Sequence, residues 1–167
     1  MFTLGIFGLF LFLCTFKFIP ETKPLNFEKF SNSELLDSYY KVISNKTFLN
    51  FTILKFDKIK SYLERVYTSK PREYPLQGKK DVIRNFWQVQ VLEKGIAFIG
   101  YNFQDIKTSF SDFDLIKKLG CSSVLIIPVK SGNNIKGSVN LLHEESWYSD
   151  NDVKGAQKLV QLISEVL

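Results

Sequence analysis

The sequence is poor in the residues on which most enzyme sites depend. It has one histidine, His143, and two cysteines, Cys14 and Cys121, among its 167 residues. A single imidazole excludes a histidine cluster as a metal site, and two cysteines at these positions indicate no disulfide framework. The chain also lacks a Cys-x-x-Cys pair, a Gly-x-Ser-x-Gly elbow and a glycine loop that could cradle phosphates. These absences leave no sequence argument for an enzyme.

Two of these residues have a functional as well as a structural interpretation. His143 precedes Glu144 and Glu145, and one imidazole beside carboxylates could hold a metal weakly. We favour the structural interpretation, in which His143 lies at the end of a strand and its imidazole bonds a backbone group. Cys121 could be a redox sensor, but nothing near it in sequence indicates a lowered thiol pKa, so we favour packing as a small hydrophobe. Free buried thiols suit a reducing compartment.

Apolar and alternating runs predict an α+β fold in which helical layers cover a sheet. The segment 122–130 is apolar and β-branched with almost no polar interruption, which is typical of a strand covered on both faces. The residues Ser131-Gly132-Asn133-Asn134 predict a short turn into a second strand at 134–142. The remaining predicted strands lie at 48–57, 62–69 and 96–101, and the predicted helices at 32–43, near 81–92, at 112–119 and after Ser149.

The second half of the chain contains a helix that ends in Leu-Gly, a Ser-Ser pair, an apolar strand with Pro-Val, a glycine turn, a Lys-Gly-Ser strand, Trp-Tyr-Ser and a last helix. This order of motifs resembles the GAF family of small-molecule-sensing and dimerising domains. The resemblance is closest to the small stand-alone GAF proteins of bacteria and extends over about residues 30–167. The matching segments are FTILKFD (51–57), ERVYTSKPREYPLQGKK (64–80), SDFDLIKKLG (111–120), IPV (127–129) and NLLHEESWY (140–148), together with Trp87.

This resemblance implies a PAS-related antiparallel sheet of five or six strands, flanked by helices, with a ligand pocket between the sheet and the segment 81–119. The first and last helices would lie on one side, where they can form a dimer seam, although packing within one chain explains their apolar stripes equally well. The candidate ligand-binding residues occupy matched motif positions and can bond or stack: Tyr74, Trp87, Ser123, Asn140, His143 and Trp147. The tryptophans could instead pack in the core or in a lid, and Asn140 could tie down a loop.

The sequence also departs from the family pattern. The family often shows Asp-His where this chain has Asp112-Phe113, so a ligand contact through that imidazole is absent here. Cys121 does not match the cysteine pattern of the GAF-type methionine sulfoxide reductases.

Residues 1–20 form an apolar segment that we expect to be a membrane anchor, followed by a linker at 21–30 and the GAF-like domain at 31–167. As a helix, residues 1–19 would reach at most about 28 Å, near the lower limit for crossing a bilayer. Lysines 17, 23 and 29 lie after the apolar run, so the positive-inside bias would hold the domain in the cytoplasm, at the inner membrane. The alternatives are a translation start placed too far upstream, which makes the protein cytoplasmic, or an apolar helix that packs on the domain or on a partner.

The positive charge of the chain is concentrated in one stretch. Residues 55–84 contain nine Lys or Arg and four Asp or Glu, a net charge of +5 that equals that of the whole chain. Such a patch could face anionic lipid or a phosphorylated ligand, or be a solvated surface. Nucleic acid is the partner we favour least, because no recognition-helix, zinc-finger or RNA-binding signature accompanies the charge.

These observations predict a non-catalytic sensory or regulatory domain that binds a small molecule, whose identity and any cofactor the sequence leaves unknown. The alternative is a membrane-tethered interaction or dimerisation module with no ligand. A homodimer is compatible with both.

Overall fold

The computed structural model describes residues 50–164 and residue 167, so the N-terminal segment, the linker and the predicted first helix lie outside the described residues. The described chain forms a six-stranded sheet in the order β3-β2-β1-β6-β5-β4, and every neighbouring pair is antiparallel. The α+β prediction is therefore confirmed. The strands are β1 (Asn50–Asp57), β2 (Tyr62–Thr68), β3 (Lys79–Asp81), β4 (Phe98–Gly100), β5 (Ser123–Ser131) and β6 (Asn134–His143).

Strands β5 and β6 form the central hairpin that the sequence predicts. Ser131 pairs with Asn134, so the loop consists of Gly132 and Asn133, and Gly132 has a φ of 57°. Glycine adopts that left-handed conformation without the steric penalty of a Cβ. β6 also pairs with β1, which places β6 in the interior of the sheet with its residues from Gly137 to His143 buried.

Four helices of the described region cover the sheet. They are α1 (Phe86–Gln88), which continues as a π-helical turn at Val89–Glu93, α2 (Phe103–Ser109), α3 (Phe113–Lys118) and α4 (Asp150–Ile163). The predicted cap of α4 is present, because the Ser149 N–H donates to Oδ2 of Asp152 at 2.8 Å. None of the helices within residues 50–164 has the length and hydrophobicity that crossing a bilayer requires.

Side-chain alternation along the strands creates two apolar cores, one on each face of the sheet. On one face, Phe51, Ile53 and Leu141 pack against Val160 and Ile163 of α4. The opposite face packs against α1, α2 and α3, and its buried residues include Leu54, Leu63, Trp87, Val124, Ile126 and Leu142. The last helix and the 81–119 segment thus lie on opposite sides of the sheet, as predicted.

Two elements were not predicted individually. Strand β3 is three polar residues long and has no apolar pattern, but it pairs with β2 at Leu63–Lys80. Helix α2 begins after Asn102, whose side chain accepts a hydrogen bond from the Asp105 N–H at 3.0 Å. Its short apolar stripe was too weak to predict a helix, although Asn-x-x-Asp is an N-terminal signal.

Candidate functional site

A partly open cavity of about 240 Å³ lies on the face of the sheet that α1 to α3 cover. Strands β1, β2 and β6 form its floor, the segment 74–80 forms one wall, and Trp87 with residues 110–116 forms the other. This is the position at which the sequence predicts a pocket. Three of the six predicted ligand-binding residues line it: Tyr74, Trp87 and Asn140.

The floor of the cavity is polar although it belongs to buried strands. Asn50, Thr52 and Asn140 are 1%, 6% and 5% exposed, and Thr52 pairs directly with Asn140 across β1 and β6. Asn140 is held in place, because the Ser138 hydroxyl donates to its Oδ1 at 2.8 Å. Buried sheet positions that serve packing alone are usually apolar, so core packing does not explain the polar side chains of this floor.

Asn50 contains the clearest unsatisfied group of the floor. Its Oδ1 accepts only a long hydrogen bond from the Ser69 hydroxyl, at 3.5 Å. Within residues 50–164, no acceptor lies within hydrogen-bond distance of its buried Nδ2. A buried amide donor without an acceptor destabilises a fold by about 1–3 kcal/mol, which a bound acceptor would offset.

The mouth of the cavity contains an ionic cluster around Asp112. The Tyr74 hydroxyl donates to Oδ2 of Asp112 at 2.9 Å, and Nζ of Lys80 lies 3.3 Å from Oδ1. These contacts connect the 74–80 segment to the start of α3. Burial, reinforced by the Asp112 carboxylate, raises the pKa of Tyr74 well above its usual value, so its hydroxyl stays protonated as a donor.

Arg65 contributes a half-buried cation to the wall. Its Nη1 donates to the Pro75 carbonyl at 2.9 Å, and its guanidinium carbon lies 4.8 Å from the centre of the Tyr74 ring. The Arg65 Nε is buried and has no acceptor among the described residues. Burial lowers the pKa of Arg65, since removal from water disfavours the charged form.

Trp87 presents only its ring to the cavity. It is 1% exposed, its Nε1 donates to the Ser109 carbonyl at 3.1 Å, and its ring stacks on Phe110 with centroids 5.7 Å apart. Because the indole donor is already used, Trp87 can contact a ligand through apolar or stacking interactions alone.

The other three predicted residues do not line this cavity. Ser123 and His143 face each other across β5 and β6, and by alternation they share the α4 face with Leu125 and Leu141. The Ser123 hydroxyl donates to the Glu144 carbonyl at 2.5 Å, and Nδ1 of His143 accepts from the Glu144 N–H at 2.8 Å. A ligand at these residues stays a prediction, and it would be a separate site.

Trp147 belongs to the same group as His143. Its ring stacks on the imidazole with centroids 3.7 Å apart and an interplanar angle of 13°. Trp147 is 46% exposed, whereas His143 is 4% exposed, so the tryptophan covers the histidine from solvent. This stack joins the end of β6 to the loop that leads into α4.

Within residues 50–164, the cysteine is buried and the potential metal ligands are dispersed. Cys121 is fully buried, and burial raises the pKa of its thiol to about 11, so the thiol is protonated at neutral pH. Cys121 does not line the cavity. Across residues 50–164, no three His, Cys, Asp or Glu side chains come close enough to hold a metal ion.

No sequence motif singled out Asn50, Thr52 or Arg65. A signal was present in NFTILKF at 50–56, where Asn50 and Thr52 alternate with Phe51 and Ile53. Polar residues at every second position of a strand with both faces covered indicate that one face meets something polar. For Arg65 no comparable signal exists, because basic residues are frequent throughout 55–84.

Comparison with solved structures identifies the fold. The GAF domain of a two-component sensor histidine kinase from Bacillus halodurans superposes with a TM-score of 0.66 at 13% identity, covering 81% of this chain and 92% of that one. The GAF domain of an Acinetobacter phosphoenolpyruvate-protein phosphotransferase gives a TM-score of 0.64 at 11% identity, covering 83% of each chain. The type II free methionine-R-sulfoxide reductase of Thermoplasma acidophilum gives 0.66 at 9% identity, covering 81% and 91%. The sequence matches no protein-family model and no curated protein.

Proposed function

We propose that this chain, whose fold is that of a GAF domain, is a sensory domain that binds a small molecule in the cavity between the sheet and the α1–α3 layer without converting it. The observation that carries the proposal is the buried, unsatisfied Nδ2 of Asn50 on the cavity floor. Bound to an acceptor on a ligand, this group would no longer destabilise the fold. The sensor kinase among the structural neighbours has the same fold, which supports a sensory role.

The sulfoxide reductase neighbour raises the question of catalysis. A thiol nucleophile must reach the substrate as a thiolate, and Cys121 is neither at the cavity nor readily ionised. His143 lies on the other face of the sheet and is covered by Trp147. Both arguments favour binding over turnover.

Native mass spectrometry of the full chain, purified in detergent from its own host, tests the proposal. We expect a retained small molecule in the wild-type protein and in Asn151→Leu, a matched control on the exposed surface of α4. Asn50→Leu should fold but lose the ligand, because leucine fills the floor and removes the donor. Retention of the same mass by all three proteins would place the ligand elsewhere, and its absence from all three would contradict the proposal.

The second candidate is a membrane-tethered interaction or dimerisation module without a ligand. The uncharged run at residues 1–16 favours the tether. The same spectra separate the two functions, because a ligand-free dimer would favour the module and a ligand-bound protein would favour the sensor.

A further inference from the structure

We propose that the ligand of this cavity is a small anion whose carboxylate or phosphate oxygen accepts a hydrogen bond from the guanidinium of Arg65. This inference rests on the proposed function, because it specifies the chemistry of the molecule that the cavity binds. Three features support it: the contacts of the Arg65 guanidinium, the charges that surround it and the volume of the cavity.

Arg65 forms no direct ion pair with any described residue. The ion pairs of the described region are Lys80–Asp112 and Arg84–Glu93, so no carboxylate among the described residues lies within 4.0 Å of Arg65. Its Nη1 donates to the Pro75 carbonyl, and the guanidinium lies over the ring of Tyr74. Its buried Nε has no acceptor among the described residues. A half-buried cation whose buried Nε donor has no acceptor is costly unless an anion completes it.

The Arg65 guanidinium is held in place by its contacts with the Pro75 carbonyl and the Tyr74 ring. A Cβ at Gly78 would lie 2.7 Å from Nη1 of Arg65 and 3.3 Å from the Pro75 carbonyl oxygen. A side chain at residue 78 would therefore shift the guanidinium from its position beside the Pro75 carbonyl. Fixing a donor before the ligand arrives reduces the conformational entropy that binding must overcome.

The lining of the cavity has an excess of positive charge. Its charged residues are Arg65, Lys79, Lys80 and Asp112. Asp112 already accepts from Tyr74 and pairs with Lys80, so it cannot neutralise the rest. A concave site with an excess of positive charge concentrates anions.

Size and spacing restrict the ligand further. Arg65 pairs with Leu54, which is four residues from Asn50 along β1, a separation of about 13 Å between backbone positions. Nδ2 of Asn50 therefore meets a different part of the ligand than the Arg65 guanidinium does. A cavity of about 240 Å³ is below the usual range for drug-sized ligands, so the ligand is a small metabolite with an anionic group and a second acceptor.

The experiment uses the three arginines of the sequence, Arg65, Arg72 and Arg84. Full-length protein labelled with ¹⁵N-arginine should give three Nε–Hε signals, which Arg65→Lys and Arg72→Lys assign. The probes are succinate, inorganic phosphate and the neutral isostere succinamide, at constant ionic strength. Arg72 is exposed and Arg84 is paired with Glu93, so both are internal controls.

We expect succinate or phosphate to shift the Arg65 signal saturably and to leave Arg72 unchanged, while succinamide has no effect. Arg65→Lys should bind the active anion about tenfold more weakly or worse, the loss expected from one charge-assisted hydrogen bond, and Arg72→Lys should bind normally. A response to succinate alone would assign a carboxylate, and to phosphate alone a phosphate.

Absence of a saturable shift with either anion, or equal shifts at Arg65 and Arg72, would overturn the inference. Native mass spectrometry then shows whether the proposed sensory function fails together with the anion inference. A retained neutral ligand would leave the sensory function in place and remove only the anion. The absence of a shift together with the absence of a retained ligand would contradict both the anionic ligand and the sensory function. The wild-type measurement does not depend on whether a variant folds.

Discussion

Asn50 and Asn140 are polar side chains on the sheet face that α1 to α3 cover. Both are almost fully buried, but Asn140 accepts from Ser138 while Nδ2 of Asn50 has no acceptor among the described residues. Matched motifs predicted Asn140 as a site residue, and alternation along β1 could have predicted Asn50. That Nδ2 lacks an acceptor depends on packing across several elements, which no local pattern encodes.

Tyr74 should make the stability of the protein sensitive to alkaline pH. Because its pKa is raised in the folded state, the stability it contributes is complete below about pH 10, the unfolded value, and is lost as pH rises above it. Tyr74→Phe should therefore reduce the fall in unfolding free energy between pH 8 and pH 11, and cost about 1 kcal/mol at neutral pH. Urea titrations at both pH values measure this.

Tyr148 provides a parallel case on the other face, since burial raises its pKa too. Tyr148→Phe should also reduce the alkaline loss of stability. If neither variant differs from wild type in its pH dependence, the raised pKa values are contradicted.

His143 should prove structural. His143→Ala removes the acceptor for the Glu144 N–H and the stack with Trp147, so we expect a loss of about 1–2 kcal/mol in unfolding free energy. Ligand retention should be unchanged, because the cavity lies across the sheet. Denaturant titration and native mass spectrometry measure the two effects. Lost ligand with unchanged stability would instead place the imidazole in a binding site.

At the scale of elements, the long strands were predictable, whereas strand β3 and helix α2 were not. The predicted strands 122–130 and 134–142 correspond to Ser123–Ser131 and Asn134–His143, because long apolar runs with a glycine turn leave few alternatives. Strand β3 and helix α2 are fixed by tertiary pairing and by a cap, respectively. The cavity wall includes β3 residues, so its exact shape could not follow from periodicity.

The contact of β6 with β1 depends on Gly137. A Cβ at that position would overlap the backbone carbonyl of Leu54, whose side chain lines the cavity. Gly137→Ala should therefore destabilise the protein by about 3 kcal/mol or more, as backbone displacement within a core does. Thermal and urea unfolding measure the loss.

Gly155 is the matched control, because a Cβ there meets no atom within 4 Å and the residue is exposed on α4. Gly155→Ala should stabilise the helix by about 0.5–1 kcal/mol. Equal stability of Gly137→Ala and wild type would show that β1 and β6 can separate without cost.

At the scale of the whole molecule, the two faces of the sheet differ in the side chains that they carry. One face carries an apolar core under α4, and the other carries the polar cavity with its basic wall. The basic stretch 55–84 supplies Arg65, Lys79 and Lys80 to that wall, so part of the positive charge predicted as a patch lines the site. This division separates the proposed ligand site from the face on which the predicted dimer seam would form.

The N-terminal segment should determine where the protein is found but not what it binds. The described residues that line the cavity begin with Asn50, whereas the uncharged run occupies residues 1–16. Full-length protein should stay with the membrane fraction after carbonate washing, because a helix of about 24–28 Å can nearly cross the hydrocarbon layer. Deletion of residues 1–22 should give a detergent-free domain with the same unfolding temperature and the same retained ligand. Full-length protein that remains in the supernatant without detergent would contradict the anchor, and a deletion that unfolds would show that the segment packs on the domain.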